Sequence, residues 1–509
     1  IEMAPGSYAD GGFIPNIPQF YSGKNILITG VTGFMGKVLL EKLLRSCPQI
    51  GKIYMIIRCK KDKLPEDRLK EVTDLPLFDI LKMEQNWSDI EKKFILLNGD
   101  VSELNLGLSA EDEQNIIKNV SIVFHVAASV RFDDPLSDAI KMNTRGTREI
   151  VQLCLKIKSL KTFLHVSTTY SNCYKSMVEE KVYPPLADWR EMIETVEKLD
   201  PGIINILTKK YIGSMPNTYT FSKSLAENVV WEHRNQLPVI ILRPSIVISS
   251  WKDPFPGWLD TINGPTAMLV GGGKGVLRTC LANKDVVADY MPVDVAIRAI
   301  ITAVWHHCVN RVQDQNKIVY NCSSRDKSVS MQELMRLGLK TAEQFPFSEV
   351  LWTPTAHFTT NKTCFAVNAW FKHLIPALIV DLVLKIRNKK PRLVKIQQRI
   401  FQAITALSYF TLNHWTFKNE NFQNLDAVLL PEDKIDFSID LSDINIKEYF
   451  VNATLGLRQY LLHEDDSKLA ETRKQANRLY WLDKILKALG LVLLLWSCQI
   501  FFLSSYLNA

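Results

Sequence analysis

A chain of 509 residues, 47% hydrophobic and 23% charged, is long enough for two or three domains and has ordinary globular composition, which excludes a disordered or fibrous protein. The net charge of +7 is too modest at this length to point to nucleic acid, and suits an anionic cofactor, an anionic substrate or a membrane surface. The nine cysteines are scattered, with no CxxC pair and no neighbouring histidine that completes a zinc pattern, so they read as reduced thiols in a cytosolic setting and no metal site is expected.

Residues 1–22 hold several Gly, Pro and Asn without a periodic apolar face and are expected to be a lead-in without a secretory signal. Lys24 to Ile28 then ends in a β-branched run, and Thr29-Gly30-Val31-Thr32-Gly33-Phe34-Met35-Gly36 leads into Lys37 to Leu44, whose apolar residues recur at helical spacing. Strand, glycine turn and helix in this order form a dinucleotide site: glycines allow the sharp turn, the approach of a pyrophosphate and close helix packing, and the helix N-terminus attracts phosphate. Thr29, Gly30, Thr32, Gly33, Phe34, Met35 and Gly36 are therefore candidate cofactor contacts.

Further apolar runs occur at 53–57, 94–97, 122–126, 163–166, 239–242 and 318–320, separated by helix-length segments. They predict an α/β fold with a doubly wound, Rossmann-type parallel sheet that binds ligands at its strand carboxyl ends. The second strand ends in Arg58-Cys59-Lys60-Lys61, where an NAD site usually presents a carboxylate. Arg58 and Lys61 suit a 2′-phosphate instead, so NADPH is expected. Asp100 and Val101 follow the third strand, where Asp100 is placed to accept an adenine amino group, and Ala127, Ala128 and Ser129 leave room for the nicotinamide ribose.

Tyr219 and Lys223 are four apart in Tyr-Thr-Phe-Ser-Lys, on one face of a predicted helix. An ammonium about 4 Å from a phenol contributes roughly 4 kcal/mol at an effective dielectric of ~20, so Lys223 is expected to lower the tyrosine pKa by about two to three units and let Tyr219 exchange a proton near neutrality. Ser167 and Thr168 follow the fifth strand, where a hydroxyl can share an oxyanion with Tyr219; Thr168 is preferred. Asn143, a poor helix former inside a predicted helix, is expected to hold a water linking Lys223 to solvent.

These motifs resemble an extended short-chain dehydrogenase/reductase. From Tyr21 to about Tyr460 the chain more narrowly resembles the fatty acyl-CoA reductases, through Gly33 to Arg45, His165 to Thr168, Pro216 to Tyr219, Arg243 to Val247 and Pro254 to Trp258. The resemblance implies reduction of a long-chain acyl-CoA to a primary alcohol with two NADPH through a bound aldehyde, and adds Pro244, Ser245 and Ile246 to the cofactor contacts. Two other readings share the turn and the Tyr/Lys pair: a dehydrogenase acting on a sterol or nucleotide sugar, and a membrane-bound NADPH-binding scaffold.

Trp251 to Gly264, with Trp258, reads either as a loop over an alkyl chain or as core packing. Lys274, in Gly271 to Gly275, and Arg278 are candidates for CoA phosphates, a flexible surface turn being the alternative. The catalytic domain is expected over 23–350 and a mostly helical C-terminal domain over 355–460, in which His373 to Ile386 is too short to span a bilayer comfortably. A basic linker at 461–487 precedes the uncharged stretch 488–506. At about 1.5 Å per residue those residues give roughly 28 Å, which matches a ~30 Å hydrocarbon core, so a C-terminal transmembrane helix is expected. The preceding basic residues keep the catalytic domains cytosolic on the endoplasmic reticulum or peroxisome, in contact with membrane lipid. A homo-oligomer is compatible with this composition.

Overall fold

The computed structural model describes residues 14–60, 63–262, 264–309, 317–324 and 327–507, with side chains to 500. The apolar runs form β1 (Ile26–Thr29), β2 (Ile53–Ile57), β3 (Phe94–Asn98), β4 (Ile122–His125), β5 (Thr162–Val166), β6 (Val239–Pro244) and β7 (Val319–Cys322). They pair in parallel in the order β7-β6-β5-β4-β1-β2-β3. Every residue of β1, β2, β4, β5 and β6 is buried, which is why these strands read as continuous apolar runs. Strand order reverses between β1 and β4, where Thr29 lies in register with His125. The crevice above that pair is the place where such sheets bind ligands.

The helices that matter for the site are α1 (Phe34–Ser46), α2 (Pro65–Thr73), α3 (Gly146–Lys156), α4 (Thr218–Glu232) and α5 (Val293–Val309). A π turn, Ile140–Arg145, leads into α3 and carries Asn143. The stretch expected as a lead-in contains a short buried helix, Ile17–Tyr21, with a capping box between Asn16 and Gln19. Its Tyr21 hydroxyl donates to the Ile301 carbonyl at 3.0 Å.

Two compact units form, and they do not follow the linear boundaries at 350 and 355. The first takes the chain up to Leu259 with Val287–Val329 and His414–Tyr449; the second takes Asp260–Val286, Ser330–Asn413 and the chain from Phe450 onward. The 414–449 stretch joins the sheet because β7 is a sheet edge that needs cover. Half-buried Glu180 accepts N–H bonds from Asn321 (3.0 Å), Asn421 (2.6 Å) and Phe422 (3.0 Å). The Asn421 amide caps the Val319 carbonyl at 3.1 Å.

The second unit is mostly helical. It contains α6 (Lys362–Ile386), with a π turn at Trp370–Leu374, then α7 (Leu393–Leu412) and α8 (Leu469–Leu507). Among the described residues, one helix is long and apolar enough to cross a membrane by length and composition, and it is α6, at 25 residues. The run expected to be too short is thus the second half of a longer helix. The expected linker from Leu469 onward and the expected anchor are continuous in α8, which exposes Leu489 and Leu491 to Trp496; the side chains of 501–506 lie outside the described residues.

Candidate active site

The glycine turn is built by steric necessity at two positions. Gly30 has φ +78°, and a Cβ there would lie 2.6 Å from the Ala127 nitrogen. A Cβ on Gly36 would lie 2.1 Å from the Gly30 carbonyl oxygen, so only glycine lets α1 pack against the turn. Gly33 caps α1 and donates its N–H to the Gly30 carbonyl at 2.9 Å, while Phe34 and Met35 open the helix, part-exposed. Thr29, by contrast, is fully buried, with its hydroxyl on His125 Nδ1 at 2.8 Å and accepting the Ala127 N–H at 3.2 Å. Its side chain ties β1 to the loop after β4.

His125 also meets the Thr147 hydroxyl at 3.1 Å, and burial, followed by the Lys223 charge, lowers its pKa to about 3. Between that value and the ordinary ~6.5, the unfolded chain binds a proton that the folded chain refuses, so stability falls as pH falls through this window. Denaturant unfolding between pH 7 and 4 should therefore show a shallower pH dependence in His125→Asn than in the wild type, by at most about 1.4 kcal/mol per pH unit. Equal slopes would contradict a buried neutral imidazole.

At the far end of the turn, Arg58 donates to Asp100 Oδ2 at 3.0 Å. A residue not singled out in the sequence, Arg68 of α2, donates to the Arg58 carbonyl at 2.7 Å and to the Thr32 hydroxyl at 3.2 Å. Burial and the Arg58 charge lower its pKa, as expected for two guanidinium groups held near each other. Its only signal in the sequence is that it is one of two basic residues, with Lys70, in the helix after β2. Asp100 accepts from the Ser102 N–H at 2.9 Å and hydroxyl at 2.8 Å; burial opposes ionisation, but these bonds and Arg58 hold the carboxyl below its usual range. Val101 is buried against Gly146. Lys61 lies outside the described residues.

Asn217 caps α4 by accepting the Thr220 N–H at 2.9 Å, which sets Tyr219 in the first turn. The Tyr219 ring stacks on Phe132, with centroids 5.8 Å apart, and its hydroxyl shares a hydrogen bond with Thr168. Burial pushes the Tyr219 pKa up to about 12, with the Thr168 bond pulling it back. This corrects the expectation that Lys223 lowers it. The Lys223 ammonium instead donates to the Val166 carbonyl at 2.6 Å and faces His165 Nε2 at 3.3 Å. Helical spacing brings the two residues to one face, but the carbonyl at the end of β5 takes the charge. Burial lowers the Lys223 pKa to about 7, opposed by Glu227.

The two hydroxyls after β5 part company. Thr168 accepts the Tyr170 N–H at 3.3 Å and meets Tyr219, whereas Ser167 donates to Glu227. Glu227 is fully buried, takes two bonds from Arg243 (2.8 and 2.7 Å) and one from Ser171 at 2.8 Å. Arg243 in turn donates to the Glu179 carbonyl at 3.0 Å and the Lys181 carbonyl at 2.8 Å. The sequence carries a signal for this pair: Glu227 continues the four-residue step of Tyr219 and Lys223.

Asn143 accepts the Ser129 N–H at 2.9 Å and donates to the Ser129 carbonyl at 3.0 Å and the Ser222 hydroxyl at 2.9 Å. Its amide thus fastens the Ala127-Ala128-Ser129 loop to α4. Ser245, just past Pro244, donates its hydroxyl to Asp289 at 2.6 Å, and the Ile246 N–H donates to the Asp289 carbonyl at 3.1 Å. Trp258 is buried with its ring stacked on Phe34, centroids 5.5 Å apart, which is core packing beside the glycine turn. Lys274 and Arg278 belong to the second unit. There Lys274 lies 3.9 Å from Glu464, the Arg278 N–H donates to His373 at 2.9 Å, and its guanidinium stands over Trp352 at 5.8 Å.

A doubly wound sheet with this turn and a Tyr/Lys pair on the helix beside β5 defines an extended short-chain dehydrogenase/reductase, and comparison with known proteins narrows the class. Residues 28–300 and 372–464 match two family profiles, each described as male sterility protein, the first of them an NAD-binding one. The chain is 42% identical over 465 residues to fatty acyl-CoA reductase 1 of Xenopus laevis, covering 91% of this chain and 90% of that one. It is 40% identical to the Homo sapiens fatty acyl-CoA reductase 1 (91% and 90% covered) and 36% to the Bos taurus fatty acyl-CoA reductase 2 (91% and 89%). The chain belongs to the fatty acyl-CoA reductase family. Its fold is shared with the terminal R domain of the myxalamid PKS-NRPS pathway, at TM-score 0.56 and 18% identity, over 87% of this chain and 93% of that one.

Proposed function

We propose that this protein reduces long-chain fatty acyl-CoA to the primary fatty alcohol with two NADPH, the aldehyde staying bound between steps. The observation that carries the reading is the Tyr219 hydroxyl, hydrogen-bonded to Thr168 at the carboxyl end of β5 and kept protonated by a pKa of about 12. Reduction requires a proton donor at the carbonyl oxygen, and a phenol that stays protonated at neutral pH is one. The Gly30/Gly36 cradle and the N-terminus of α1 fit a pyrophosphate, and Arg58 with Arg68 fits a 2′-phosphate.

NADPH, when bound, supplies the hydride for each reduction. Tyr219 and Thr168 donate hydrogen bonds to the thioester oxygen and stabilise the oxyanion as it forms. Collapse of that tetrahedral species expels CoA thiolate and leaves the aldehyde on the same two hydroxyls. In the second step Tyr219 gives its proton to the alkoxide. Lys223 donates to the Val166 carbonyl and is placed to hold the end of β5 in position. Asn143 fixes the loop on which the nicotinamide ribose would rest, and the Glu227–Arg243 pair holds Ser167 beneath Thr168.

Incubation of purified protein with NADPH and a panel of acyl-CoAs should yield the alcohol; absence of any lipid product at every chain length would favour the NADPH-binding scaffold. Replacing Arg58 and Arg68 by alanine removes two charges from the 2′-phosphate end. The double variant should raise KM for NADPH by about 10²- to 10⁴-fold, from about 1.5–3 kcal/mol per charged hydrogen bond, while KM for NADH changes little. Equal losses with both cofactors would overturn the assignment.

We further infer that α8 anchors the chain by its tail, with the catalytic unit cytosolic on the endoplasmic reticulum or peroxisome. The exposed apolar run at Leu489 to Trp496 after the basic residues of 461–487 supports this.

A further inference from the structure

The outer face of α6 is apolar and is not covered by the described residues of its unit. Residues Ala369, His373, Ala377 and Asp381, at four-residue steps, form the buried seam of this helix. The opposite side presents Trp370, Phe371, Leu378, Ile379, Leu382 and Ile386, each between 48 and 74% exposed. Contiguous exposed apolar surface of this kind marks an interaction site. The one acidic residue within the apolar part of the helix is turned away from it: Asp381 accepts the N–H groups of Arg392 (3.0 Å), Leu393 (3.0 Å) and Val394 (2.9 Å), capping α7.

The segment after the helix identifies the partner. The turn into α7 is basic, with Lys385, Arg387, Lys389, Lys390, Arg392 and Lys395 and no acidic residue between Lys385 and Lys395. Apolar surface beside clustered cations is complementary to a bilayer with anionic headgroups. The connectivity decides between lying on the bilayer and crossing it. Phe358–Thr359, just before α6, pairs with Cys280–Leu281. Thr411, at the end of α7, donates its hydroxyl to the Leu281 carbonyl at 2.8 Å, and its carbonyl accepts the Asn283 N–H at 2.9 Å. The hairpin therefore leaves and returns at one strand. If α6 crossed, α7 would have to cross back, carrying Lys395 and Arg399 and sending the basic turn through the hydrocarbon.

We propose that the α6–α7 hairpin is a monotopic membrane contact: the outer face of α6 rests in the interfacial layer of an anionic bilayer, with the basic turn on the headgroups. The contact is separate from the tail anchor, and it does not depend on the acyl-CoA reading.

The test uses the full-length protein reconstituted into vesicles of phosphatidylcholine alone or with phosphatidylserine, with a carbene-generating lipid photoprobe and adducts mapped by mass spectrometry. Adducts on peptides of 370–386 are expected in addition to those on 488–506, and their ratio should rise with phosphatidylserine. The paired substitution Lys389→Glu and Lys390→Glu should lower that ratio by at least about fivefold per reversed charge. Trypsin added on the side of the catalytic unit should still cut at the basic turn of the wild type. Adducts confined to 488–506, or a ratio indifferent to anionic lipid, would overturn the proposal. Protection of the turn from trypsin would mean that the hairpin spans. Shielding of 370–386 that grows with protein concentration in lipid-free detergent would assign the face to a second copy.

Discussion

Tyr219→Phe is expected to reduce alcohol formation by about 10²- to 10⁴-fold while leaving the Kd for NADPH nearly unchanged. The substitution removes only the hydroxyl, and the ring can keep its stacking on Phe132. The glycine turn and the arginines at the 2′-phosphate end lie on β1, α1 and α2 and have no bond to Tyr219 among those described. Thr168→Ala should cost less, because Tyr219 still donates to the oxyanion; about 10²-fold is expected for one lost donor. Ser167→Ala should have little effect on the chemical step, since its hydroxyl faces Glu227. An active Tyr219→Phe enzyme, or a Ser167→Ala variant more impaired in turnover than Thr168→Ala, would contradict the assignment of roles.

The second large effect is on stability. Glu227→Ala should destabilise the protein by about 3–5 kcal/mol, the range for breaking one side of a buried ion pair. Arg243 is fully buried, and Glu227 is its only acidic partner among the described residues. Truncating the carboxylate leaves a guanidinium without a counter-charge and releases Ser167 and Ser171. Replacing both members by apolar residues of similar volume should cost less than either single change, and denaturant unfolding of the three variants measures it. A single variant as stable as the wild type would show that the pair contributes nothing to the fold.

The legible parts of this protein are those where one physical requirement dominates a local stretch. Strands buried on both faces are dominated by apolar residues, so β1, β2 and β4 to β7 stand out as runs; the turn at Gly30 and Gly36 tolerates no Cβ, so glycine marks it. Tyr219 and Thr168 are also legible, one by helical spacing and one by its position at a strand end. The hidden parts depend on contacts between distant stretches. The cover of the β7 edge by 414–449 rests on Glu180 reaching residues more than two hundred positions away, and no boundary signal at 350 reports it.

The Tyr219 pKa escapes the sequence for a related reason. Spacing says that Lys223 shares a face with Tyr219; it does not say that the Val166 carbonyl is nearer to the ammonium. Arg68 and Glu227 are visible as residue types, yet only the fold brings Arg68 to the Arg58 carbonyl and Glu227 to Arg243. The helix at Ile17–Tyr21 is within reach of the sequence, since Asn16 and Gln19 form a capping box around Pro18. Its shortness hides the periodicity.

The central claim is that one site performs two successive hydride transfers to the same carbon of a fatty acyl-CoA. Turnover with NADPH carrying deuterium at the transferring position of the nicotinamide, followed by mass spectrometry of the lipid product, tests it most directly. The account predicts a primary alcohol with two deuterium atoms on its first carbon, two NADPH consumed for each CoA thiol released. A product with one deuterium that accumulates as free aldehyde, or thiol release without deuterium in the lipid, would contradict it.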